Sequence, residues 1–181
     1  MARLTPITSK DQVPAQYHDI ADKVIASRGG IRGPFTMLMH CPPIAQHYVS
    51  IGGYVRFEGK LDHRVRVLAA MVAARAARLR TPHVERLELA RRLGVPESTI
   101  TAIRENHSRD VPAEDLQIIE FSRALLRKHR VDEATFQALI KRFGNEQFIE
   151  LTATIGYYTM LTMTVNACEV EPAPDYEVLK T

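Results

Sequence analysis

The chain has 181 residues, 45% of them apolar and 25% charged, a globular composition that excludes a disordered or low-complexity chain. With 24 basic residues against 21 acidic ones, the formal charge of +3 is too small to demand a polyanionic partner. Its two cysteines, Cys41 and Cys168, lie far apart with no CxxC, which points to reduced thiols in a cytoplasmic protein.

The opening "MARLTPITSK" carries no apolar run, so no signal peptide is expected. A first helix is predicted over Asp11–Ser27, with Val13, Tyr17, Ile20 and Val24 on one face. "RGGIRGPF" breaks it, and a short helical turn at Phe35–His40 leads into "CPP", where Pro43 suits a first helical turn. The helix that follows carries Ile44, His47, Tyr48, Ile51, Tyr54 and Val55 and ends near Gly59. Asp62 is the expected N-cap of the alanine-rich "HRVRVLAAMVAARAARL". In "TPHVERLELARRLG", Thr81 caps, Pro82 takes the first position and Gly94 stops the helix.

"PESTITAIREN" makes a shorter helix and "HSRDVP" a polar connector. Asp115–Arg130 reads as an amphipathic helix with its basic end at the C-terminus, as the macrodipole prefers. "VDEATFQALIKRFG" is stopped by Gly144, and a last helix runs from Asn145 to about Cys168. Its core, "ELTATIGYYTMLTMTVNA", is interrupted by five threonines and an asparagine, so it reads as a buried helix rather than a membrane span. No strand alternation and no internal repeat occur. The expectation is an all-α, single-domain bundle of about eight helices spanning residues 1–181.

One stretch, "LARRLGVPESTITAI", has the layout of a DNA-reading helix-turn-helix: small Ala90, turn Gly94, and apolar Ile100 and Ile103. Ser98, Thr99, Thr101, Arg104 and Asn106 would then face bases or phosphates. Glu97 and Glu105 on the same helix would repel phosphates, and the basic residues are scattered rather than gathered there. An αα-hairpin needs the same small residue and glycine for steric reasons alone. Nucleic acid is therefore the lesser reading.

Three passages in order carry a wider likeness: "GPFTMLMHCPPIAQHYVSIGGYVRFEGKLDHRVRVLAAMVAARAARL", "HVERLELARRLGV" and "FIELTATIGYYTMLTMTVNACEVEP". Together, from about Pro34 to Pro172, they resemble the carboxymuconolactone decarboxylase-like proteins, a superfamily that also holds the alkylhydroperoxidase D-type reductases. The resemblance implies an alkylhydroperoxidase D-like all-α fold, a homo-oligomer (trimer or hexamer), and a scaffold role for the helix pair around Gly94. A tail at 173–181 lies beyond the matched core.

The peroxidase-type members use a CxxC pair with a glutamate and a histidine, one thiolate attacking and the other resolving. Counting back from Gly94, the cysteine position falls on Leu79 and the glutamate position near Val67, so the thiol chemistry is missing. Decarboxylase-like members have a "YEW..H…A…G" pattern, in which Thr81, Pro82 and His83 stand for "YEW" and Arg86 for the histidine. Arginine stays charged and offers a planar fork suited to carboxylates, whereas histidine passes protons near neutral pH.

The segment Arg80–Arg86 therefore reads as an anion site with one proton carrier. His83 and Arg86 are the catalytic candidates, and Arg80, Glu85, His40 and Tyr54 the substrate-binding ones. His40 and His47 are not completed into a metal site by any HExxH or carboxylate cluster, so no metal and no cofactor are expected. A tyrosine hydroxyl from Tyr54, Tyr157 or Tyr158 could donate to an enolate, and nothing in the sequence selects which.

The resulting reading is a cofactor-independent lyase or isomerase acting on a small carboxylate or lactone. The alternatives are a peroxidase-related member without thiol activity, a non-catalytic binding protein, or a helix-turn-helix regulator. The expected partners are a small anionic metabolite and further copies of the chain, with no membrane.

Overall fold

Pro14 decides where the first helix begins. The residue before a proline is pushed out of the helical region, and Val13 accordingly takes φ −97°, ψ 138°. The predicted helix over Asp11–Ser27 is therefore divided into two 3₁₀ turns, Lys10–Gln12 and Ala15–Tyr17, followed by α1 (His18–Arg28). Tyr17 flanks α1 instead of lying on its apolar face.

The computed structural model describes residues 2–77 and 84–170. Among them the chain forms eight α-helices and no strand. After α1 come α2 (Phe35–Leu38), α3 (Pro42–Gly53), a π-helical turn at Tyr54–Glu58, α4 (His63–Ala76), α5 (Val84–Arg92), α6 (Glu97–Glu105), α7 (Ala113–Lys128) and α8 (Glu133–Ala167). None of the described helices is long and apolar enough to cross a membrane. The described residues fall into two compact units: those up to Glu58 together with those from Met160 onward, and Gly59–Thr159.

In the first unit α1 and α2 pack on α3. Ile20, Ala21 and Val24 of α1, the α2 residues Phe35, Met37 and Leu38, and Ala45 of α3 are buried there. The N-terminal residues are tied down at several points. The Arg3 amide donates to the Cys168 carbonyl at 2.8 Å, and the Ile7 amide to the Thr36 carbonyl at 3.0 Å.

In the second unit α4 is central and packs against α5, α6 and α7. Its alanines permit that crowding: Ala69, Ala70, Ala73 and Ala74 are all buried. Asp62 caps α4 as expected, accepting from the amides of Arg64 (2.8 Å) and Val65 (3.2 Å). The core runs through Leu68, Ile100, Ile118, Ile119, Phe121, Leu139, Leu151 and Ile155.

Two glycines set the turns around this core. Gly94 takes φ +73°, and its amide and that of Val95 donate back to Arg91 and Ala90, the double closure of a Schellman motif. Gly144, at φ +69° and ψ 175°, breaks the long α8 into two helical segments where the sequence predicted a stop. In the second segment Thr152, Thr154 and Thr159 donate to the carbonyls four residues back, so hydroxyls in an apolar helix spend themselves on their own backbone.

Candidate functional site

α5 faces two ways. Leu87 and Ala90 are buried in the core, and Arg86 stands half-buried beside them. The Arg86 guanidinium lies over the Tyr158 ring of α8, 4.1 Å from its centroid. Tyr158 is itself half-buried, and its ring meets that of buried Tyr157 edge-on at 5.2 Å and 72°. Among the described residues Arg86 forms no ion pair and no hydrogen bond through its side chain, and its guanidinium rests on the aromatic face. A guanidinium so placed keeps its in-plane N–H donors for an anionic ligand.

Other charged side chains of this unit are already engaged. Arg91, one turn further along α5, pairs with Glu97 at the start of α6, with Nε and Nη2 at 3.0 and 2.9 Å from the carboxylate. That hydrogen bonding by Arg91 holds the Glu97 carboxyl below the usual glutamate range. Asp115, fully buried on α7, takes the fork of Arg64 (2.5 and 2.8 Å) and the hydroxyl of Thr99 (3.0 Å). Arg123 is spent on Ser108, Glu120 and the carbonyls of Ala102 and His107, fastening the end of α6. Glu150 accepts from the amides of Lys60 (3.0 Å) and Leu61 (2.6 Å) and so fixes the approach to α4.

The sequence-derived candidates are distributed as follows. Arg86 belongs to the second unit, over Tyr158. His83 and Arg80 lie outside the described residues, as does the side chain of Glu85. His40 and Tyr54 belong to the first unit. His40 is exposed, and its Nε2 is 2.9 Å from the Thr5 carbonyl, which accepts from it. Tyr54 opens the π-helical turn and is 43% exposed.

Thr99, offered by the helix-turn-helix reading as a base contact, is fully buried and bonded to Asp115. A threonine facing the core cannot reach a groove. Among the described residues no group of three His, Cys, Asp or Glu is placed to hold a metal ion. Cys41 is exposed and Cys168 half-buried, both as free thiols.

Sequence reasoning left Tyr158 as one of three tyrosines, because its partner is far away in the chain. The buried polar groups Asp115, Arg123 and Glu150 were missed altogether. Glu150 had a signal, being the one charged residue in an otherwise uncharged run from 147 to 168.

The arrangement of helices is that of the alkylhydroperoxidase D-like proteins, all-α as the resemblance implied. A peroxidase-related protein from Ralstonia eutropha JMP134, an alkylhydroperoxidase AhpD core, superposes with a TM-score of 0.76 at 17% identity, covering 96% of this chain and 93% of its own. A peroxidase-related protein from Silicibacter sp. TM1040 gives 0.72 at 14% identity, with coverages of 97% and 93%. A debrominase in complex with 2,3,4-tribromopyrrole gives 0.72 at 18% identity, with coverages of 96% and 95%. At such identities the likeness is one of fold. No known protein-family profile matches the sequence, and no curated protein matches it.

Proposed function

We propose that the protein is a cofactor-independent lyase or isomerase acting on a small carboxylate or lactone. Arg86 holds the anionic oxygens and His83 exchanges a proton at carbon. The observation that supports this most is the Arg86 guanidinium, half-buried over Tyr158 with no ion pair among the described residues. A partly desolvated guanidinium attracts a carboxylate more strongly than an exposed one does, and its fork matches carboxylate geometry.

In the decarboxylation form, the C–C bond to the leaving carboxylate breaks and its electron pair passes into an enolate. Arg86 holds a carboxylate that the substrate retains, and a proton from His83 quenches the carbon. In the isomerase form, His83 removes one carbon-bound proton and returns it elsewhere. Arg80 and Glu85 flank these two groups in sequence and complete the binding segment.

The debrominase neighbour, in complex with tribromopyrrole, supports a ligand of small-ring size for this fold. The reading includes homo-oligomeric assembly as a trimer or hexamer, a cytoplasmic location and a single domain.

Steady-state kinetics on carboxymuconolactone and a panel of small carboxylates and lactones test the assignment. Arg86→Ala is expected chiefly to raise KM, by about tenfold or more for loss of a charge-assisted hydrogen bond. Unchanged KM and kcat in this variant would mean that the anion is bound elsewhere.

A further inference from the structure

Among the described residues Arg28, Arg56, Arg86 and Arg142 lie over aromatic rings, and of these Arg86 is arranged like a ligand-binding group. Arg28, over Phe35 at 4.0 Å, also donates to the Ser27 hydroxyl at 2.6 Å. Arg142, over Phe143 at 4.8 Å, is fixed by the Glu114 carbonyl and the Gln117 side chain. Arg56 and Phe57 are sequence neighbours at 4.7 Å, on a ring that is 66% exposed. Arg86 and Tyr158 come from different helices, α5 and α8, and among the described residues no hydrogen bond occupies the guanidinium edge.

We propose that Tyr158 is the positioning residue of the anion site: its ring covers one face of the Arg86 guanidinium and leaves the in-plane N–H fork to a small carboxylate. This rests on the reading of Arg86 given above and assigns the tyrosine that reading lacked. A free arginine side chain carries rotamer entropy that a ligand must otherwise remove on binding. The Tyr158 face limits that freedom before the ligand arrives, and preorganisation of this kind raises affinity. Buried Tyr157 meets the Tyr158 ring edge-on and limits its rotation in turn.

The role belongs to the ring face, not to the phenolic hydroxyl. The proton chemistry stays with His83, and the substrate class narrows to carboxylates able to lie in the plane of the fork.

Titration calorimetry with benzoate, and with benzamide as its uncharged counterpart, tests the assignment on the full chain. Wild type is expected to bind benzoate and not benzamide. Tyr158→Leu should weaken benzoate by about five- to thirtyfold, the range of a partly desolvated cation–π contact. Tyr158→Phe keeps the ring and should stay within about twofold of wild type. Arg86→Met should abolish binding.

Wild-type affinity in Tyr158→Leu, with binding lost in Arg86→Met, would overturn the role of Tyr158 and leave that of Arg86 standing. Equal affinity in Arg86→Met, or no benzoate binding by wild type, would overturn both. A ligand-free measurement guards against a leucine variant that fails to fold. In the NMR spectrum of wild type the Arg86 Hδ and Hε resonances should be shifted upfield by the Tyr158 ring current, and random-coil shifts there would also overturn the proposal.

Discussion

Single buried charges decide how this molecule holds together. Asp115 is fully buried and receives two bonds from Arg64 and one from Thr99, which joins α4, α6 and α7 at a single carboxylate. Breaking such a pair leaves an uncompensated charge, at a cost of about 3–5 kcal/mol. Here Arg64 keeps some solvent access and has Glu114 within 3.7 Å, so the lower end of that range applies. Asp115→Ala is expected to lower the urea-unfolding free energy by about 3 kcal/mol. A loss below about 1 kcal/mol would mean that the three helices do not depend on this carboxylate. The sequence held a trace of it, because Asp115 stands in register with Ile118, Ile119 and Ser122, the inward face of α7. A charge at an inward position signals a buried partner, but not which of 24 basic residues supplies it.

At the scale of elements, local chemistry was readable and its long-range consequences were not. Asp62 and Gly144 act where the sequence put them, because capping and positive φ depend on neighbouring residues alone. The first helix starts at His18, seven residues later than the apolar spacing from Asp11 predicts, because Pro14 forces Val13 out of the helical region. The α5–α6 pair shows what periodicity cannot resolve: Ala90, Ile100 and Ile103 face a core, which either a DNA reader or a packed hairpin requires. Burial of Thr99 and the Arg91–Glu97 pair give the motif's polar groups structural work. Gly94 has open space where a Cβ would stand, so only its backbone conformation resists substitution. Gly94→Ala is therefore expected to cost about 1–2 kcal/mol, the penalty of a left-handed L-residue, read from the shift in thermal unfolding midpoint. No shift would mean that the turn relaxes to another conformation.

Across the whole molecule, the helical order persists in neighbours only 14% and 17% identical, with TM-scores of 0.72 and 0.76. A fold shared at that distance is specified by apolar spacing and helix stops more than by particular residues, which is why the all-α architecture was legible from the chain. The candidate site was legible only in part. Counting from Gly94 reached Arg86 because the two share a short stretch of chain, whereas Tyr158 reaches Arg86 only through the fold. Chemistry at the other catalytic candidate, His83, tests the proposed function most directly. Carboxymuconolactone is turned over in D2O and the product followed by NMR, with wild type beside His83→Ala. Proton transfer by His83 should leave deuterium at the product carbon with wild type, and turnover should fall by about a hundredfold or more in the variant. Equal rates with equal deuterium incorporation in the two proteins would contradict it.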